Sequence, residues 1–216
     1  MCESDFLFDL KDEGTSLTIV FSSFGVTRYF EFKGFMKRSF PSQNVLHFRD
    51  SQRSWYFNGI KGFSNSPEMT LRKLESFIIE KNIDKVYTLG MCSGGFASLL
   101  YGHLLKVNRI FCFSPQTILD GTIPSRYMNH LNRINRDFGD HPFINLCNLD
   151  LSNDNIDIYF DPRHERDSSH IKNLTEKWKV PNLFERQGGH FVARVMRSDG
   201  SLKQVLYPYL KSKNAD

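Results

Sequence analysis

The residues best suited to chemistry lie in Gly90-Met91-Cys92-Ser93-Gly94-Gly95, which follows a short apolar run. Glycines two before and two after a nucleophile permit the sharp strand-to-helix turn that exposes it, because the backbone there must fold tightly. By that spacing Cys92 occupies the nucleophile position and Ser93 the next, where its N–H faces a developing oxyanion. A helix beginning beyond Cys92 favours a thiolate through its N-terminal dipole. The competing structural interpretation is a small buried cysteine in a turn that packs closely or binds phosphate.

A nucleophile of this kind requires an acid and then a histidine later in the chain, each after a further strand. His190 in Arg-Gln-Gly-Gly-His-Phe lies in a Gly-rich loop beyond the last expected strand and is the candidate base. Asp161 stands at the end of the run Ile156–Phe160, and Asp167 stands before the helix expected from Ser168; either can orient an imidazole. Asp167 would otherwise serve as a helix N-cap and Asp161 as a turn residue before Pro162. His164 and His170 are expected as solvated loop and helix residues, and no ligand clustering calls for a metal or other cofactor. A second oxyanion donor is expected from the loop after the first strand, at the N–H of Ser23 or Phe24. Trp55 and Tyr56, on the long loop after the second strand, and Gln116, beyond the strand next to the turn, are candidate pocket residues; the aromatic pair could equally plug the core.

Positioning these residues takes strands alternating with helices. Buried-type strands are expected at Ser16–Phe21, Asn44–Asp50, Lys85–Gly90, Arg109–Pro115 and Asn155–Asp161, with a last one in the segment opening at Asn182. Ser66 reads as a cap and Pro67 as the first turn of a helix that places Leu71, Leu74, Phe77 and Ile78 on one side. Further helices are expected from Gly95, near 125–139, over 168–179 and over 201–211, with residues 116–150 otherwise irregular. The alternation predicts an α/β domain with a mostly parallel sheet between helical layers.

The 216 residues suit a single domain over 1–216, and twenty phenylalanines suggest an aromatic core or an aromatic-walled pocket. A net charge of +4, dispersed rather than blocked, argues against a dedicated nucleic-acid binder. No run approaches the ~18 apolar residues of a membrane span, and the N-terminal segment resembles no secretory signal. Cys2, Cys92, Cys112 and Cys147 form no CxxC pair, so a reduced, cytoplasmic setting is expected.

Together Gly-Met-Cys-Ser-Gly-Gly-Phe-Ala at 90–97 and the order nucleophile, acid, histidine resemble the α/β-hydrolase superfamily. Residues 48–60, 109–117, the D-x-x-H at 167–170 and the segment 188–202 are similar to short hydrolase-like proteins of bacterial surface-polysaccharide gene clusters. The resemblance implies a three-layer α/β-hydrolase-like sandwich with a small or absent cap. It also implies Cys92 as nucleophile, Asp167 as acid through the D-x-x-H spacing, and His190 as base. The thiol departs from the usual hydroxyl, although dienelactone hydrolases resemble this arrangement. Sulfur makes activated-ester cleavage or acyl transfer, on a small ester, thioester or acylated sugar, the expected chemistry. The alternatives are an inactive protein of this fold that binds a ligand or partner in the same pocket and, last, a phosphate or nucleotide binder; the P-loop and G-x-G-x-x-G signatures of the latter are missing.

Overall fold

A computed structural model describes residues 4–11, 15–152, 155–178 and 182–211. Seven strands, β1 (Phe6–Asp9), β2 (Ser16–Phe21), β3 (Asn44–Phe48), β4 (Lys85–Met91), β5 (Arg109–Phe113), β6 (Ile156–Phe160) and β7 (Asn182–Glu185), form one sheet in the order β1-β3-β2-β4-β5-β6-β7. Every pairing is parallel except β1 with β3. The expected strands are present. The antiparallel edge strand β1 was not expected; four partly exposed residues carry too little pattern to announce a strand.

Alternation along the strands builds two cores. Leu17, Ile19 and Phe21 of β2 join Ile110, Cys112, Ile156 and Ile158 on one face, under α2 (Pro67–Glu80), α3 (Ser93–Leu104), α4 (Met128–Phe138) and α5 (Glu165–Thr175). Val20 joins Leu89, Met91, Phe111 and Phe113 on the other face, against α1 (Lys33–Ser39), α6 (Val192–Ser198) and α7 (Ser201–Leu210). This is the three-layer α/β sandwich expected of the resemblance. Only α4 and two short 3-10 turns stand between β5 and β6, so the cap is small. Among the described residues no helix is long and apolar enough to cross a membrane.

Local signals explain several boundaries. The Ser66 side chain accepts from the Met69 amide and Pro67 opens α2, as the cap pattern predicts. α5 starts earlier than expected, at Glu165, and its cap is His164, whose Nδ1 accepts from the Asp167 amide at 3.3 Å. Asp167 is therefore inside the first turn rather than the N-cap. The expectation for 168–179 ran past Thr175, and its last residue lies outside the described residues. Helices α1 and α6 were not expected; each spans only seven residues, too short for a helical period to stand out.

Candidate active site

Cys92 follows β4 and caps α3 with φ 57° and ψ −118°, a conformation that L-residues rarely hold. The flanking glycines are required by contact. A Cβ on Gly90 would lie 2.1 Å from the Gly94 carbonyl oxygen, and one on Gly94 would lie 2.1 Å from the Phe21 carbonyl oxygen. The Cys92 amide donates to the Phe113 carbonyl at 3.0 Å, fixing the turn against β5. At the head of α3 the Ser93 N–H belongs to the first turn, where a helix offers its own amides no acceptor.

His190 sits in a 3-10 turn, Gly189–Phe191, directly after two glycines with positive φ. Its Nδ1–H donates to both Asp167 oxygens, at 2.9 and 3.0 Å, and it lines the same cleft as Cys92, whose sulfur interacts with it electrostatically. Burial works to lower the imidazole pKa, but Asp167 and then Cys92 outweigh it and push it up to about 9. Of the two acids left open by residue order, Asp167 meets the histidine. Asp161 holds the loop instead: its carboxylate accepts from the Gly188 and Gly189 amides at 3.0 and 2.9 Å and from Arg163. Arg163 and those amides hold the Asp161 carboxyl far below the usual carboxylate range.

Other candidates take different places. Trp55 and Tyr56 do not line the cleft; both are sealed in the core, Trp55 donating to Gln116 Oε1 at 2.7 Å and Tyr56 to the Ser22 carbonyl at 2.9 Å. They are core plugs because the loop turns inward, with positive φ at both residues. Gln116 is also buried, and its Oε1 lies 3.6 Å from the Cys92 sulfur, so it supports the thiol from below the cleft. His170, expected in solvent, is buried, and its Nδ1 accepts from the Thr117 amide at 3.2 Å. His164 is partly exposed beside His190, and its ligand atom lies within 4.8 Å of those of Asp167 and His190. Both of those groups are already bonded to one another.

A cleft of about 180 Å³ opens over the sulfur, with Ser23, Phe24, Tyr127, His190 and Arg194 among its walls. Sequence reading did not anticipate Glu31. Its Oε2 accepts from the Ser23 amide at 2.8 Å, and its own amide donates to Ser22 Oγ at 3.0 Å. Burial raises the Glu31 carboxyl pKa, while the Ser23 bonds and the positive charges of Arg194 and Arg197 oppose the rise. The Ser23 amide is thereby engaged, whereas among the described residues no acceptor takes the Phe24 amide. Glu31 fixes the loop that carries Phe24. For acyl chemistry at Cys92 with the Phe24 amide as oxyanion donor, replacement of Glu31 by Ala is expected to reduce kcat about tenfold with KM within about twofold, and Glu31→Gln, which keeps an acceptor oxygen, to restore most of it. Equal losses in steady-state kinetics for the two variants would contradict this role.

No protein-family model matches the chain, and no curated protein matches it. Solved structures do. The capsule O-acetyltransferase of Neisseria meningitidis serogroup A superposes with a TM-score of 0.69 at 19% identity, over 92% of this chain and 90% of that one. A mutant of that enzyme in complex with CoA superposes with a TM-score of 0.70 at 18% identity, over 93% and 90%. Acetyl xylan esterase 1 from a Thermoanaerobacterium species gives 0.64 at 13% identity, over 94% and 79%. The chain has the α/β-hydrolase-like fold of these proteins.

Proposed function

We propose that this α/β-hydrolase-like protein is an acyl-transfer enzyme that carries the acyl group as a thioester on Cys92 and passes it to a hydroxyl of a sugar, with water as the competing acceptor. The observation that carries the proposal is the line Asp167–His190–Cys92, with the sulfur raised on a strained turn beside an imidazole held protonated up to about pH 9. The similar capsule enzyme is an O-acetyltransferase seen with CoA, which supports a thioester donor, and the similar esterase supports ester chemistry. Surface-polysaccharide modification is the setting that fits such an acceptor. The free buried thiols Cys92, Cys112 and Cys147 suit a reducing, cytoplasmic one.

In the first half-reaction the Cys92 sulfur, its proton held by His190, attacks the acyl carbonyl. The donor's carbon–sulfur or carbon–oxygen bond breaks, and His190 returns the proton to the leaving group. In the second, His190 takes the proton of the acceptor hydroxyl, whose oxygen attacks the thioester; the Cys92 thiolate leaves and recovers the proton pair with His190. Asp167 keeps Nδ1 protonated and the ring oriented throughout. The Ser93 and Phe24 amides receive the oxyanion in both steps.

Iodoacetamide labelling of Cys92 across a pH series, read by mass spectrometry, tests the nucleophile, and intact-mass measurement after incubation with acetyl-CoA tests the adduct. Cys92 is expected to react at least tenfold faster than free cysteine near neutral pH, to slow in His190→Ala, and to gain one acetyl group. Labelling no faster than free cysteine and indifferent to His190→Ala would mean a ligand-binding protein without this chemistry.

A further inference from the structure

A second lobe of about 240 Å³ adjoins the thiol cleft, and Tyr29, Glu31, Met91 and Arg194 line both. The lobe therefore lies next to the space above the sulfur, with these four residues at the boundary. Its walls carry Lys33 and Arg38 from α1 and Arg194 and Arg197 from α6, against the single carboxylate of Glu31. That carboxylate is itself turned to the Ser23 amide. Four arginines elsewhere are paired: Arg49 with Asp5, Arg109 with Asp157, Arg136 with Asp137 and Arg163 with Asp161. Among the described residues, none of the four cations of the lobe has a salt-bridge partner. These four exposed cations, gathered around one lobe from two helices, repel one another, and an anion seated among them relieves that repulsion. Arg194 also lies over the Phe191 ring, 4.9 Å from its centroid, which places a guanidinium at the junction of the two lobes.

We infer that this lobe is a phosphate-binding subsite, which seats the phosphate groups of the substrate whose reacting end lies at Cys92. The inference rests on the acyl-transfer reading and narrows its substrate class. Guanidinium forks brought to one lobe from two helices match the oxygens of a phosphate better than a single carboxylate, and three of the four cations are arginines. Two sources supply that chemistry: the nucleotide phosphates of a CoA thioester donor, or a phosphate-bearing sugar acceptor.

Calorimetric titration distinguishes them. Coenzyme A is compared with pantetheine, and glucose 1-phosphate with glucose, on wild type, on Arg38→Gln/Arg197→Gln and on Arg136→Gln. All three arginines are exposed, and Arg136 lies outside both lobes. At least one phosphate compound is expected to bind tenfold or more tighter than its phosphate-free counterpart. The double variant should lose at least tenfold of that affinity, Arg136→Gln less than twofold, and the advantage should shrink as salt rises. Preference confined to coenzyme A assigns the lobe to the donor, and preference confined to glucose 1-phosphate assigns it to the acceptor. No preference for either, or a double variant that binds like wild type, overturns the subsite. Because binding needs no turnover, phosphate-dependent binding without an acetyl adduct on Cys92 would reject acyl transfer and leave the subsite standing; an adduct without that dependence would reject the subsite alone.

Discussion

Under the proposed mechanism His190→Ala is expected to lower acyl transfer on the order of a thousandfold or more, because in that mechanism the same imidazole takes and returns the proton in both half-reactions. The pH dependence carries a second signature. His190 is held protonated to about pH 9 through Asp167 and Cys92, against the 6.5 of an ordinary histidine. The alkaline limb of kcat/KM should therefore fall near pH 9 in wild type and move toward neutrality in Asp167→Asn, which removes the largest raising influence. The linkage to stability has a definite sign. The folded value is above the unfolded one, so the stabilising contribution is complete below about pH 6.5 and is lost as pH rises through about 9. Urea unfolding of wild type from pH 6 to 10 should show that decline, and Asp167→Asn a smaller one. An alkaline limb that stays in place in Asp167→Asn would separate the histidine from this acid.

Gly94→Ala is expected to destabilise the fold by about 3 kcal/mol or more, at the upper end of overpacking changes. The added methyl meets the Phe21 carbonyl oxygen at 2.1 Å, which is main chain of the adjacent central strand. No rotamer change relieves such a contact, so α3 must withdraw from β2 and take Cys92 with it. Gly25→Ala, whose methyl meets nothing within 4 Å, should change stability by less than about 0.5 kcal/mol. Chemical denaturation of the two variants provides the comparison. A Gly94→Ala midpoint equal to that of wild type would show that the helix accommodates the methyl, and that glycine there serves something other than close approach.

The strands β2 to β6, the capped start of α2 and the tight turn at Cys92 were legible in the chain because each is encoded locally. Short continuous apolar runs, Ser66 before Pro67, and Gly90 and Gly94 around Cys92 are signals carried over a few residues. β1 and α1 were not legible: four and seven residues give no period, and their stability comes from what they pack against. At the site, residue order reduced the acid to Asp161 or Asp167. Only the docking of the Gly188-Gly189 loop assigned one carboxylate to the imidazole and the other to the loop amides. Trp55 and Tyr56 stood equally as walls or core plugs from their loop position and are core, since the inward turn depends on what packs around it.

Glu31, Arg38, Arg194 and Arg197 carry no pattern that links them along the chain; about 160 positions separate the two helices that bring these cations together. The sequence by itself thus determined the layered α/β architecture and the turn that presents a thiol, because backbone periodicity and glycine requirements are local. Tertiary structure alone decided which acid meets the histidine, which amide of the loop after β2 has an acceptor and where positive charge collects, because those depend on side chains converging through space from loops that share no spacing.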